Sequence, residues 1–325
     1  MSVQFRTFHE YKYENAVNGI QRVTWGFFKK LVIADNIARV IGQIIMDSSS
    51  FGGMTTLFAI FLYSFQLYAD FSGYTDIAIG CSQMLNIKLG ENFNCPYFSQ
   101  SITEFWRRWH MSLGNWFREF LFYPLLRSGM MTGIRRKVKP YNKNLAKNLP
   151  TVLSLFVFWF FIGLWHGASF SFILYGLYHG LFVIGEYAVE NLGGGAKSKQ
   201  PACYSFLKII LTFAIVTLGY ILFAPADILV SKDIVINVTT NLQLHKFRLF
   251  LRENQRFLFA IALGLIVLFV IDFVHYNNPE TSIRNWINKQ STPARYIIYL
   301  ACTLTILMLG AYGTEGVNEF AYFRF

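Results

Sequence analysis

A long stretch without charged side chains limits the folds open to this chain. Residues 150–185 contain no Asp, Glu, Lys or Arg. One membrane helix needs about 20 apolar residues, so the stretch is too long for a single crossing. The Gly167-Ala168 pair predicts a tight turn that divides it into two helices. Further spans are predicted at residues 48–69, 209–226, 257–274 and 296–314.

The composition agrees with a polytopic membrane protein. Hydrophobic residues make up 54% of the 325 residues and charged residues only 14%, against about 25% charged in a typical soluble domain. The chain therefore lacks the polar residues that a soluble globular enzyme needs on its surface. Segments 16–37 and 101–126 are amphipathic and are expected to lie along the interface or to re-enter the membrane.

The positive charge is concentrated between predicted spans. The formal net charge is +11, but no basic stripe accompanies a soluble fold, so the charge does not indicate nucleic-acid binding. Residues 127–149 hold seven basic residues and no acid, which predicts a cytoplasmic loop by the positive-inside rule. Counting spans from this loop places the C-terminal aromatic tail, 315–325, outside the cell.

Three groups of polar residues fall within or beside the apolar segments, where they usually face a cavity or a partner. His166 is expected within the membrane and can exchange a proton near neutral pH; the alternative is that it satisfies a helix end. Ser101 and Glu104 form a capping box that starts a helix carrying His110. Asp70 and Asp76 either do acid–base work or bind a metal as paired carboxylates, or they cap helices and pair with nearby Arg or Lys.

The chain has four cysteines, which are candidate metal ligands. They are far apart and lack the spacing of a metal site. They are expected to pack as small apolar side chains. They are Cys81, Cys95, Cys203 and Cys302.

Four motifs carry a resemblance to a known family. They are WGFFKKLVIAD at 25–35, ADFSGYTDIAIG at 69–80, GENFNCPYFSQSITEFWRRWHMSLGNWFREFLFYPL at 90–125 and GLWHGAS at 163–169. The chain resembles the membrane-bound O-acyltransferase (MBOAT) family, in its bacterial alginate O-acetylation branch, related to the D-alanyl transfer protein of teichoic acid synthesis. The resemblance implies one all-α MBOAT domain over 1–325, a helical bundle enclosing a tunnel. The helices that normally precede the first motif are expected to be missing, so the chain is expected to be N-terminally truncated.

The resemblance also implies site residues. His166 corresponds to the family's hallmark histidine and would be the general base, and His110 corresponds to the second histidine of the branch. Asp70, Asp76 and Tyr322 are further candidates, the tyrosine as an acyl relay or as an interfacial anchor. Three more residues of the shared motifs are expected to support the site: Trp106, Arg107 and Trp165. Three basic residues are expected to bind the donor: Arg135, Arg136 and Lys137.

The implied function is O-acetyl transfer in a bacterial cytoplasmic membrane. The donor would be acetyl-CoA, used as a substrate with no bound cofactor. The acceptor would be a surface polysaccharide, reached with an extracytoplasmic hydrolase-like partner. Transfer of D-alanyl or another acyl group is the alternative within the class. A proton-coupled transporter using Asp70, Asp76 and His166, or an inactive scaffold, are the alternatives of other classes.

Overall fold

The computed structural model describes residues 4–6, 9–192, 202–280 and 283–312. Within these ranges the chain is helical and no strand occurs. The main helices are α1 (Tyr13–Phe27), α2 (Asp35–Met46), α3 (Gly53–Met84), α4 (Ile102–Arg108), α5 (Met111–Phe117), α6 (Gly129–Val138), α7 (Lys143–Trp165), α8 (Phe170–Leu192), α9 (Ala202–Phe223), α10 (Ile228–Thr240), α11 (Leu244–Glu253), α12 (Gln255–Asn277), α13 (Ile283–Asn288) and α14 (Thr292–Leu309). Stretches of π-helix occur at Phe28–Ala34 and Arg118–Phe122, and single helical turns at Gln4–Arg6, Ser48–Phe51, Pro96–Phe98 and Tyr123–Leu126.

Among the described residues, five helices are long and apolar enough to cross a membrane: α7, α8, α9, α12 and α14. This confirms the prediction of an all-α polytopic membrane protein. The predicted span at 48–69 covers the helical turn Ser48–Phe51 and the first half of α3, which is not one of the five. That helix is longer than predicted and continues through Asp70 and Asp76, with most of its first two thirds buried in the protein.

The chain divides into two compact units, one formed by Met1–Cys95 with Ile234–Phe325 and the other by Pro96–Asp233. We refer to them as the first and second unit. The single domain expected over residues 1–325 stays a prediction.

In the first unit, α1 and α3 are in direct backbone contact. A Cβ atom added at Gly19 would lie 2.6 Å from the carbonyl oxygen of Gly80, and one added at Gly26 would lie 2.7 Å from that of Gly73. Small residues at helix contacts allow this close approach in membrane proteins. The contact fixes which side chains of the two helices face each other, and these include Arg22 of α1 and Asp76 of α3.

In the second unit, α7 and α8 form a hairpin. The turn lies at Gly167, whose φ of +148° is accessible to glycine but rarely to other residues. A Cβ atom at Gly163 would lie 2.5 Å from the carbonyl oxygen of Phe172, so the two helices are also in close contact near the turn. The predicted division of residues 150–185 at Gly167-Ala168 is confirmed.

The segment 101–126 is not one continuous helix. The predicted cap is present, since Ser101 Oγ accepts a hydrogen bond from the Glu104 N–H at 3.1 Å, and α4 starts at the next residue. The carboxylate of Glu186, from α8, accepts hydrogen bonds from the first two N–H groups of α4 at 2.7 and 2.9 Å. The helix then ends at Arg108, and α5 starts again at Met111.

The basic segment 127–149 was expected to be a loop, but it is largely helical. Ser128 caps α6, accepting a hydrogen bond from the Met131 N–H at 3.3 Å. The end of the segment forms the first turns of α7, where Asn142 is the cap. All seven basic residues are exposed, five of them in helices and two, Arg127 and Lys139, in turns. Their concentration alone therefore does not indicate the helices that carry most of them.

Candidate functional site

The two predicted histidines both contact one tryptophan ring in the second unit. His166 directly follows α7, and His110 lies between α4 and α5. The Trp165 ring centroid is 5.9 Å from that of His110 and 5.0 Å from that of His166, and both contacts are edge-to-face. The structure therefore brings together two histidines that are 56 positions apart in the sequence.

His166 is buried, with 7% of its surface exposed. Its Nδ1 atom has no hydrogen-bond partner among the described residues. The ring packs edge-on against Phe223 at 5.0 Å and against Tyr175 at 6.1 Å. A buried imidazole with a free nitrogen can accept a proton from a substrate hydroxyl that approaches it.

His110 has an uncommon backbone conformation. Its φ of 43° and ψ of 53° lie in the left-handed region, which costs a residue other than glycine about 1–3 kcal/mol and recurs at functional sites. This conformation separates α4 from α5 and turns the chain at the histidine. Burial, with a smaller contribution from His166, lowers the pKa of His110 to about 3. His110 is therefore neutral at physiological pH, and its ring carries one N–H donor and one acceptor nitrogen.

A cavity of about 160 Å³ adjoins His110. Trp106 and Arg107, both predicted site residues, line it. Neither Trp165 nor His166 is among its lining residues. Most of the wall is apolar or aromatic, and the full lining is Thr103, Trp106, Arg107, His110, Leu113, Gly114, Arg118, Phe122, Leu155, Phe158, Trp159, Ile162 and Val183. Such a mainly apolar pocket with a few polar groups is typical of a small-molecule site.

The predicted acids lie in the first unit and form ion pairs. Asp76 pairs with Lys29 at 2.5 Å and with Arg22 at 2.8 Å. Asp70 pairs with Lys30 at 2.7 Å, and Lys30 also contacts Asp35 at 2.9 Å. Both acids therefore form ion pairs, and neither caps a helix because both lie inside α3. Their part in acid–base chemistry stays a prediction.

The residues predicted to bind the donor are exposed, and the predicted acyl relay lies outside the described part of the chain. Arg135, Arg136 and Lys137, which we call the basic triplet, are exposed in the last turn of α6. They are free to meet an anionic ligand from solvent. Tyr322 lies outside the described residues, so its role stays a prediction.

Sequence reasoning missed a third histidine. His179, in α8, is fully buried, and neither ring nitrogen has a hydrogen-bond partner among the described residues. Its ring centroid is 4.7 Å from that of Tyr175, which also contacts His166. The sequence did carry a signal, since an ionisable residue in a membrane span indicates function by default. Histidine is not counted among the charged residues whose absence defines the span, so His179 did not stand out.

No protein-family model matches the chain. The chain is 38% identical to the probable alginate O-acetylase AlgI of Pseudomonas aeruginosa over 213 residues, which are 66% of this chain and 36% of that protein. It is 34% identical to the peptidoglycan O-acetyltransferase of Helicobacter pylori over 216 residues, 66% of this chain and 37% of the relative.

A more distant group is named for another acyl group. The chain is 32% identical to the teichoic acid D-alanyltransferase of Bacillus subtilis over 209 residues, which are 63% of this chain and 50% of the relative. The chain thus spans half or less of the length of these three proteins. The resemblance found in the sequence is confirmed, because the chain is a homologue of these MBOAT-type proteins over about 65% of its length.

Proposed function

We propose that this chain acts in a membrane O-acyltransferase that moves an acetyl group from cytoplasmic acetyl-CoA toward hydroxyls of a cell-surface polysaccharide. The observation that carries the proposal is the arrangement of His110 and His166 about Trp165, beside an apolar cavity. The names of the relatives agree with acyl transfer to a surface polymer.

In the proposed reaction His166 is the general base. The acceptor hydroxyl gives its proton to the free imidazole nitrogen while its oxygen forms a bond to the thioester carbonyl carbon. The C–S bond then breaks, and the leaving thiolate takes the proton from the imidazolium. His166 returns to its neutral form, and no further reagent is needed.

His110 would hold the donor. As a neutral imidazole it donates one hydrogen bond, and the thioester carbonyl oxygen would accept it. Negative charge builds up on that oxygen as the hydroxyl attacks, so a fixed donor there stabilises the transition state. The left-handed backbone of His110 places its ring at the turn between two helices. This position supports a fixed rather than a mobile hydrogen-bond donor.

The surroundings would serve the two substrates. The exposed basic triplet would bind the phosphates of the donor at the cytoplasmic face, since clustered Lys and Arg attract anions. The acceptor would bind at the extracytoplasmic face, where the C-terminus would also lie. A hydrolase-like partner there would receive the acetyl group. Tyr322 would either carry the acyl group or anchor the tail.

Transfer of D-alanyl is the second candidate, and the D-alanyltransferase relatives favour it. The two candidates differ in the donor and not in the base. Membranes supplied in turn with acetyl-CoA and with an aminoacylated carrier distinguish them by which acyl group enters the polymer.

A proton path through Asp70, Asp76 and His166 is less well supported. Each acid already forms an ion pair with at least one buried Lys or Arg. A path through them has to break these ion pairs in every cycle, which costs several kcal/mol in a buried setting.

The test is the ester content of the surface polymer in cells with His166→Ala. We expect a loss of at least about 100-fold, within the range that general bases contribute. His245→Ala is the matched control, because His245 is exposed in α11, and it should leave the ester content unchanged. Wild-type ester content in the His166→Ala cells would show that the base is wrongly assigned.

A further inference from the structure

Two arginines of the second unit line the cavity beside His110 without a counter-charge. Arg107 is exposed and Arg118 is half-buried, so both lie where the cavity opens. No Asp or Glu is among the described residues that line the cavity, and neither arginine forms an ion pair with a described residue. Since arginine stays charged in proteins, the cavity carries two positive charges that the proposed reaction does not use.

The guanidinium of Arg118 lies close to the helix end that carries Arg107. A Cβ atom added at Gly114 would lie 3.6 Å from Nη1 of Arg118. The same Cβ would lie 3.7 Å from the carbonyl oxygen of Trp106, which directly precedes Arg107. Nη2 of Arg118 donates a hydrogen bond to Oδ1 of Asn115 at 2.5 Å. This amide holds the guanidinium in place but does not neutralise it, because an amide oxygen has no net charge.

The two positive charges are close enough to affect each other. Burial lowers the pKa of Arg118, and the charge of Arg107 lowers it further. An anion bound by both guanidinium groups would offset this repulsion. Guanidinium groups present a planar fork of N–H donors, which matches the oxygen atoms of a phosphate or a carboxylate. The opening of the cavity is therefore suited to an anionic group.

Helix α7 gives the distance between this opening and His110. Phe122, four residues after Arg118, packs against Phe158 of α7 with ring centroids 6.2 Å apart. His110 packs against Trp165, seven residues further along α7. Seven residues of helix correspond to about 10.5 Å at 1.5 Å per residue. A ligand whose anionic group binds the arginines can therefore place a second group near His110 if an arm of this length joins the two.

We propose that Arg107 and Arg118 bind the phosphate ester at the end of the thioester arm of the acyl donor. The proposal rests on the proposed function, in which the donor is a thioester. The arm of acetyl-CoA is pantetheine, which ends in a phosphate ester and is longer than the separation along α7. An acyl carrier protein with the same arm presents the same phosphate. The basic triplet is left to the charged groups of the donor that lie beyond this phosphate.

The test measures binding to the purified full chain in phosphatidylcholine nanodiscs. Equilibrium dialysis with labelled phosphopantetheine and labelled pantetheine gives two dissociation constants, and these ligands differ only in the phosphate. We expect the wild-type chain to bind phosphopantetheine at least about tenfold more tightly, as for one or more hydrogen bonds between charged groups. Binding of pantetheine shows in each variant whether the cavity is intact.

The variants remove one charge at a time and keep a polar side chain. Arg107→Gln and Arg118→Gln should each weaken the binding of phosphopantetheine roughly tenfold and leave the binding of pantetheine unchanged. Arg118→Lys keeps the charge but loses the fork of donors, so it should retain part of the preference. The matched control is Arg248→Gln, since Arg248 is exposed in α11 of the first unit, and it should leave both dissociation constants unchanged.

Three results would overturn the phosphate site. They are a wild-type chain without a preference for phosphopantetheine, an unchanged preference in both glutamine variants, and an equal loss of binding for both ligands in these variants. A lipid headgroup is the other source of a phosphate. Native mass spectrometry from nanodiscs that contain phosphatidylglycerol tests it. A lipid that both glutamine variants release, but that phosphopantetheine does not displace, would assign the arginines to the membrane and overturn the proposal.

A transfer assay with acetyl-CoA and an added hydroxyl acceptor separates this proposal from the proposed function. Acetyl transfer by a chain that shows no preference for phosphopantetheine would overturn the phosphate site and leave the proposed function in place. A preference that depends on both arginines, without any acetyl transfer, would contradict the proposed function. The arginines would then remain a phosphate site, but the assignment of that phosphate to an acyl donor would fall.

Discussion

Replacing Asp76 by asparagine tests whether the acids of α3 are structural. Asp76 is the counter-charge of Lys29, whose side chain is only 5% exposed, and of Arg22, which is 10% exposed. Removing one partner of a buried ion pair costs about 3–5 kcal/mol, because the other charge stays buried without compensation. Arg22 keeps its hydrogen bonds to Glu91 at 2.7 and 2.5 Å, so mainly Lys29 is left uncompensated.

We therefore expect Asp76→Asn to lower the free energy of unfolding by about 3 kcal/mol, the lower end of that range. The assay is equilibrium unfolding in mixed detergent micelles, followed by tryptophan fluorescence. Asp233→Asn is the matched control, because Asp233 is exposed, and it should stay within about 0.5 kcal/mol of the wild type.

A double variant separates charge from packing. Lys29→Met with Asp76→Asn removes both charges, so it should be more stable than Asp76→Asn alone by about 1–2 kcal/mol, within the usual range for contacting residues. A loss below about 0.5 kcal/mol for Asp76→Asn, or no recovery in the double variant, would refute the reasoning. Loss of acyl transfer at wild-type stability would assign Asp76 a role in the reaction instead.

Three further predictions concern other parts of the chain. Gly163→Ala should destabilise the chain by about 1–3 kcal/mol, because its Cβ would contact the backbone of α8. The control in the same unfolding assay is Gly185→Ala, whose Cβ would have no neighbour within 4 Å. Replacing the basic triplet by alanines should raise the KM for acetyl-CoA several-fold, and the effect should shrink with added salt; a salt-independent KM would contradict it. If Tyr322 is an acyl relay, Tyr322→Phe should abolish acylation of the acceptor, whereas retained acylation assigns the residue to anchoring.

Local signals in the sequence predicted several features of the fold. Gly167 marked the turn of the hairpin because glycine alone readily adopts its positive φ. Ser101 marked the start of α4 because its hydroxyl caps the first turn. Long apolar runs located the membrane helices, although their ends differ by several residues because helix length is not set by hydropathy alone.

Other features depend on tertiary structure and had no local signal. The break at His110 interrupts a sequence that reads as one amphipathic helix, without a glycine or proline at the turn. The π-helix at Phe28–Ala34 lets the neighbouring residues Lys29 and Lys30 both reach acids of α3, which a regular helical pattern does not suggest. The cluster around His179 depends on contacts between helices that are distant in the sequence.

Thiol release from acetyl-CoA by the purified chain in lipid nanodiscs, with an added hydroxyl acceptor, tests the central claim most directly. We expect stoichiometric release of CoA thiol and formation of an ester in the wild type. In His166→Ala both should fall by at least about 100-fold, while His245→Ala should retain them. Equal thiol release and ester formation by His166→Ala and the wild type, with both folded to the same extent, would contradict the account.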